Sequence, residues 1–156
     1  MTAENFLWIF IGLVIFNFLF TTVLEYLNDK NWKNDIPNDL KDFYNAENYL
    51  KAKNYKIERG RISSISSSLS LIISLAMLYF YGFGFISDYA ISLSDSIIIQ
   101  SCIFFMILHL FTHILGIPFS YYSTFIIEEK YGFNKTTLKT FIADNIKGLI
   151  ISSVII

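Results

Sequence analysis

His109 and His113 are the first residues in this sequence whose type and spacing could do chemistry. Four apart on a helix, both rings leave one face, which is the spacing of the first two ligands of a helical zinc site. Such a site hydrolyses when a glutamate beside the first histidine takes the proton from metal-bound water. Here Leu110, Phe111 and Thr112 lie between the two, and no carboxylate falls in the same uncharged run. The residues favour a polar stripe of Cys102, His109, His113 and Gly116 turned toward neighbouring helices or a wet cavity, with a metal or proton role as the alternative. Ser63, Ser67, Ser70 and Ser74 recur at intervals of four, three and four, which puts small hydroxyls on one helix face and suits close packing. Asn17 and Thr21 make a smaller patch of the same kind. No base is spaced to activate these serines, and neither a G-x-S-x-G turn nor a phosphate-binding glycine loop occurs. Cys102 is the single cysteine, which excludes an intrachain disulfide and a multi-cysteine metal site.

The elements that must position these residues follow from composition. The 156 residues are 54% hydrophobic, 18% aromatic and only 16% charged, too little charge for a water-facing surface. A net charge of −1 leaves no basic excess for a nucleic-acid backbone, so no nucleic-acid partner is expected. The partner is the lipid bilayer, and the fold class is all-α, polytopic membrane helices with cytosolic amphipathic helices. Asn5 to Leu24 is twenty residues without a charge, enough for roughly 30 Å of hydrocarbon. With no basic stretch before it and no small-residue cleavage site after it, the run reads as a retained span over about 5–25. A second uncharged run predicts a span over 62–86, loosened at its end by Gly82 and Gly84. The third, Ser96 to Ile127, is thirty-two residues long, and Pro118 is expected to end a crossing over 97–117. Phe119 to Ile127 would then lie at the interface, with Tyr121 and Tyr122 at headgroup level. A fourth run starts at about 148 and reaches Ile156, nine residues that extend only about 13 Å. We read it as the start of a fourth span in a longer polytopic protein, the bland alternative being a short re-entrant tail.

Basic residues in the connections set the orientation. Residues 28–61 carry Lys30, Lys33, Lys41, Lys51, Lys53, Lys56, Arg59 and Arg61, whereas 87–96 carries Asp88 and Asp95 and no base. The residues after Pro118 hold Lys130, Lys135, Lys139 and Lys147. Loops 28–61 and 118–147 are therefore expected to be cytosolic and the amino terminus outside. In the first loop Pro37 and Asn38 supply a helix start, and Leu40, Phe43, Tyr44, Leu50 and Tyr55 recur near helical spacing. Lys51, Lys53, Lys56 and Arg59 read as a snorkelling, lipid-facing basic edge. In the second loop a helix end is expected at Gly132 and a restart capped by Asn134 or Thr136. Leu138, Phe141, Ile142 and Ile146 then form one apolar face. The richness in Ile, Asn, Lys, Phe and Tyr suits an AT-rich genome and suggests a bacterial inner membrane.

One stretch is long and idiosyncratic. From Pro118 through Tyr122, Phe125, Glu128, Glu129, Gly132, Phe133, Asn134, Thr137, Asp144 and Lys147 the sequence resembles the amino-terminal membrane region of the CAAX prenyl endopeptidase family. Pro37, Leu40, Tyr49, Lys51, Lys53 and Tyr55 add weaker support. The resemblance implies a multi-pass zinc metalloendopeptidase enclosing an intramembrane chamber and cleaving prenylated or membrane proteins. It implies zinc held by an H-E-x-x-H pair and a downstream glutamate, none of which occurs in these 156 residues. The catalytic domain is thus expected after Ile156, and this segment alone is not expected to be active. Its Glu128, Glu129, Gly132, Phe133 and Asn134 are expected to form a cytosolic elbow that docks that domain. The alternative from another class is a non-enzymatic transporter or scaffold using the His109/His113 stripe.

Overall fold

A computed structural model describes residues 2–32, 36 and 45–155. The helix start expected at Pro37 and Asn38, and the apolar positions Leu40, Phe43 and Tyr44, lie outside the described residues. Among the described residues five α-helices carry the fold: α1 Ala3–Asn31, α2 Ala46–Tyr79, α3 Gly82–Leu93, α4 Ile97–Tyr122 and α5 Leu138–Ile155. A π-helical turn, Ser123–Glu128, prolongs α4. The all-α class stands, and no strand occurs among the described residues.

Among the described residues three stretches are long and apolar enough to cross a membrane: Glu4–Asn31, Ala46–Tyr79 and Ile97–Glu128. All are longer than the sequence runs suggested. α1 starts at Thr2, whose hydroxyl accepts from the Asn5 amide at 3.4 Å, and it continues past residue 25 to Asn31. α2 starts at Asn45, whose Oδ1 accepts from the Asn48 amide at 2.7 Å. The amphipathic segment and the second span, expected as separate helices, are one rod of 34 residues, roughly 51 Å long. Nothing between Arg61 and Ile62 breaks the helix, and a break at that depth would expose main-chain groups to lipid.

The rod stops at Tyr79 instead of 86. Tyr81 adopts φ +60°, a left-handed conformation that reverses the chain into α3. Gly84 permits the reversal, because a Cβ there would collide with the Tyr81 ring. α3 then folds against α4 as a hairpin closed at Ser94–Ser96, where the Gln100 side-chain amide donates to the Ser94 carbonyl at 2.8 Å. Ala90, 1% exposed, is the small residue at that crossing.

Pro118 does not end α4. The helix runs through it to Tyr122 and on through the π-helical turn, so Tyr121 and Tyr122 belong to a continuous helix rather than to an interfacial segment. A proline inside a helix costs about 3 kcal/mol through one lost hydrogen bond and a ring clash. Ending a helix in hydrocarbon would leave four carbonyls unpaired at several kcal/mol each, so the continuation wins. Beyond the ring the ladder resets, the Ser123 amide donating to the carbonyls of Phe119 and Ser120. α5 likewise begins at Leu138, ten residues before the uncharged run, as one helix to Ile155.

Little is buried. Tyr49, Ala90, Ile127, Tyr131 and Phe141 are the buried apolar residues among those described. Phe16, Ile72, Phe85, Ile98 and Val154 are among many large apolar side chains turned outward, as lipid-facing or partner-facing helices require. On α5 only Phe141 of the expected apolar face turns inward, while Leu138, Ile142 and Ile146 are exposed. Because Pro118 interrupts α4 without stopping it, Pro118→Ala in the full-length protein restores an amide donor. Helix content should be unchanged and the thermal midpoint in detergent unchanged or higher; a marked fall would mean that the proline itself is required.

Candidate functional site

The motif that stood out in the sequence forms a tight elbow. Gly132 sits at φ +71°, a left-handed position that only glycine adopts without strain. Around it the Tyr131 amide donates to the Ile127 carbonyl at 3.2 Å and the Gly132 amide to the Glu129 carbonyl at 3.0 Å. The Phe133 and Asn134 amides both donate to the Glu128 carbonyl, at 2.8 and 3.2 Å, so the last carbonyls of the helix are satisfied by the turn itself. Asn134 then works twice. Its side-chain Nδ2 donates to Glu129 Oε2 at 2.9 Å, and its Oδ1 accepts from the Thr136 amide at 2.7 Å. The cap of α5 is Thr137, whose Oγ1 accepts from the Thr140 amide at 3.2 Å. The cap therefore lies one residue beyond the expected Thr136 and three beyond Asn134, since Asn134 is already committed to closing the turn.

The elbow is seated on the charged end of α2. The Tyr55 ring meets Phe133 edge-on at 5.0 Å and Tyr131 at 5.6 Å between centroids, and these two lie stacked at 6.5 Å. Arg59 donates to the Tyr55 hydroxyl at 2.8 Å, and that hydroxyl reaches Glu128 Oε1 at 3.5 Å, the outer limit of a hydrogen bond. Lys130 pairs with Glu58, and the Lys51 ammonium lies 5.4 Å from the centre of the Phe133 ring. The hydrogen bond to Glu58 raises the Lys130 ammonium above the ordinary lysine range. Burial pushes the Tyr131 phenol up, helped by its hydrogen bond with Glu58.

Of the bases read as a lipid-facing edge, Lys53 and Lys56 turn instead toward the end of α1, while Lys51 and Arg59 are exposed. Lys53 donates to the Trp32 carbonyl at 2.9 Å. Lys56 pairs with Asp29 at 2.9 Å, and its ammonium lies 4.6 Å from the Trp32 ring centre. With Trp32 against Tyr49 at 6.2 Å, these contacts fasten the end of α1 to the start of α2. Charge and depth pointed to lipid, but carbonyl and carboxylate partners from α1 were closer. The sequence also missed Trp32 and Glu58 as anchors, since their partners are distant in the chain and spacing cannot reveal them.

The intramembrane stripe splits. His109 Nε2 lies 2.7 Å from the Ser152 hydroxyl of α5, a bond between helices. The His113 ring is 6.2 Å from that of His109. It lines a cavity of about 340 Å³ with Ser120, Thr124, Glu128, Asp144 and Asn145. Phe141 closes the α4–α5 contact against Phe125 and Tyr121 at 5.4 and 6.0 Å. Cys102 is an exposed free thiol, Tyr122 is exposed, and Lys147 makes only a long 3.9 Å pair with Asp144. Among the described residues no three of His, Cys, Asp or Glu come close enough to hold a metal ion. With His109 engaged by Ser152, these residues do not fit a zinc site. The serine line does not make a close seam either: Ser67, Ser70 and Ser74 share a cleft of about 340 Å³ with Asn17 and Thr21 of α1.

Residues 25–156 match a family model described as CAAX prenyl protease N-terminal, five membrane helices. The chain belongs to the CAAX prenyl protease N-terminal family. It is 37% identical to the probable CAAX prenyl protease 1 of Schizosaccharomyces pombe, an alignment covering 72% of this chain and 27% of that one. With CAAX prenyl protease 1 of Saccharomyces cerevisiae the identity is 30%, over 88% and 33%. The crystal structure of S. mikatae Ste24p superposes with a TM-score of 0.81 at 30% identity, over 99% of this chain and 37% of that one. The chain thus spans between a quarter and two fifths of these relatives.

Gly132→Val forces a β-branched residue into the left-handed region and should destabilise the full-length protein by about 1–2 kcal/mol, whereas Gly132→Asn should cost much less. Thermal melts in detergent check the ranking, and equal losses would show that the conformation of Gly132 is not what holds the elbow.

Proposed function

We propose that this chain is the membrane-embedded front of a zinc metalloendopeptidase that cleaves prenylated or membrane proteins, with the H-E-x-x-H pair and later glutamate in sequence after residue 156. The single observation that carries the reading is the superposition on Ste24p along 99% of the chain. The matching family model and the prenyl protease relatives support it. In this reading the chain forms part of the wall of an intramembrane chamber, and the elbow at Glu128 to Asn134 receives the catalytic domain on the cytosolic side. Its placement fits: Tyr55, Glu58 and Lys130 already hold the elbow rigidly to α2, while Glu129 and Phe133 remain exposed for a further contact. Loops 28–61 and 118–147 are cytosolic and the amino terminus is outside. The relatives compared are eukaryotic, which favours a eukaryotic membrane over the bacterial inner membrane read from composition.

His109 has a structural role in this reading, joining α4 to α5 through Ser152. The transporter alternative draws no support from that bond, which engages one of the two histidines it would use. The test is cleavage of a prenylated CAAX peptide by the full-length protein in proteoliposomes. A chelator should abolish cleavage and added zinc should restore it, while His109→Leu with His113→Leu should keep most of it, losing about 1 kcal/mol of stability at His109. Chelator-insensitive cleavage, or loss of turnover in a folded double variant, would overturn the reading.

A further inference from the structure

A second cavity, of about 290 Å³, lies where α2, α3 and α4 meet. Its wall is mainly apolar, built from Ile73, Met77, Phe83, Phe111 and Leu115 with Gly116 among them. The one hydroxyl that α4 contributes, on Thr112, is turned back onto the carbonyls of its own helix, Leu108 and His109, at 3.0 Å each. That side of the cavity therefore offers a ligand only hydrocarbon. The volume lies at the lower end of what binds small apolar ligands.

The cavity is not isolated. Ser66, Ser70 and Ser74 line it and also line the hydroxyl-rich cleft between α1 and α2 that holds Asn17 and Thr21. An apolar compartment and a hydroxyl-rich, hydrogen-bonding compartment thus adjoin across one thin edge of α2. A ligand with a hydrocarbon half and a peptide half fits both at once, its amides meeting hydroxyl and carboxamide groups. A phospholipid fits less well, because the polar cleft presents Glu25 and no lysine or arginine to a phosphate.

We propose that the α2–α3–α4 cavity holds the isoprenyl chain of the substrate, with the adjoining peptide lying along Ser66, Ser70 and Ser74. The proposal rests on the protease reading above and names where its substrate's lipid goes. Gly116 gives direct access to it. A Cβ added there meets no atom within 4 Å, so a larger side chain enters open space without striking backbone. Glycine to leucine also favours the helix.

The experiment uses the full-length protein in proteoliposomes and two peptides of one sequence, prenylated and unprenylated. Gly116→Leu should raise KM for the prenylated peptide about tenfold, the effect of losing roughly two methylenes of burial, and leave the unprenylated peptide unchanged. In the unsubstituted protein a benzophenone-tagged isoprenyl peptide should crosslink to the segments holding Met77 and Phe111, and excess unlabelled prenyl peptide should compete. Crosslinks elsewhere, competition by phosphatidylcholine alone, or equal loss with both peptides would overturn the proposal, the last pointing to a helix of the same protein filling the cavity. If Gly116→Leu does not fold, the crosslink map decides alone. Cleavage with crosslinks elsewhere removes only this inference, whereas no cleavage by the unsubstituted protein removes the protease reading and this inference with it.

Discussion

A main-chain N–H or C=O left without a partner in hydrocarbon costs several kcal/mol, and there is no water to take its place. That constraint governs what the helices do. It makes α2 one rod from Ala46 to Tyr79 although its composition changes sharply near Ile62. It carries α4 through Pro118 and into a π-helical turn instead of stopping it. Two of the described turns show how the chain leaves a helix: at Tyr81, beside a glycine that makes room for its ring, and at Gly132, where the turn's own amides close the helix.

Long rods with apolar surfaces need something directional to fix their arrangement, because lipid is as good a neighbour for leucine as another leucine. In this chain that role falls to aromatic and charged side chains at one end of the bundle. Tyr55 sits against Tyr131 and Phe133, Glu58 pairs with Lys130, and Lys53 and Lys56 tie α2 back to Trp32 and Asp29. The exposed pairs are screened by solvent and contribute little singly, so the ring contacts carry most of the weight. Within the apolar helices the corresponding contact is the bond from His109 to Ser152.

The helical class, the three crossings and the elbow at Gly132 were legible in the sequence because each has a local signature: an uncharged run, or a glycine between two periodic segments. Helix ends were less legible. Pro118 signals a stop in water, and the hydrocarbon that overrides the signal is not written in the residues around it. Partners were least legible of all, since Tyr55 and Phe133, or Lys130 and Glu58, are more than seventy residues apart. The lysines before the second span read as a lipid-facing edge on charge and position alone, and only the fold brings Asp29 and Trp32 to them. His109 and His113 had the spacing of ligands, but the fold gives the first a serine and the second a polar cavity.

The family match marks an N-terminal membrane part, and in the geometry the elbow of that part is already packed against α2. The lock between Tyr55 and Phe133 is central, and a double-mutant cycle on Tyr55→Ala and Phe133→Ala in the full-length protein measures it directly. We expect a coupling of about 0.5–1.5 kcal/mol between the two rings, the usual value of an edge-on aromatic pair beyond its burial. Additive losses, with no coupling between the two positions, would contradict it.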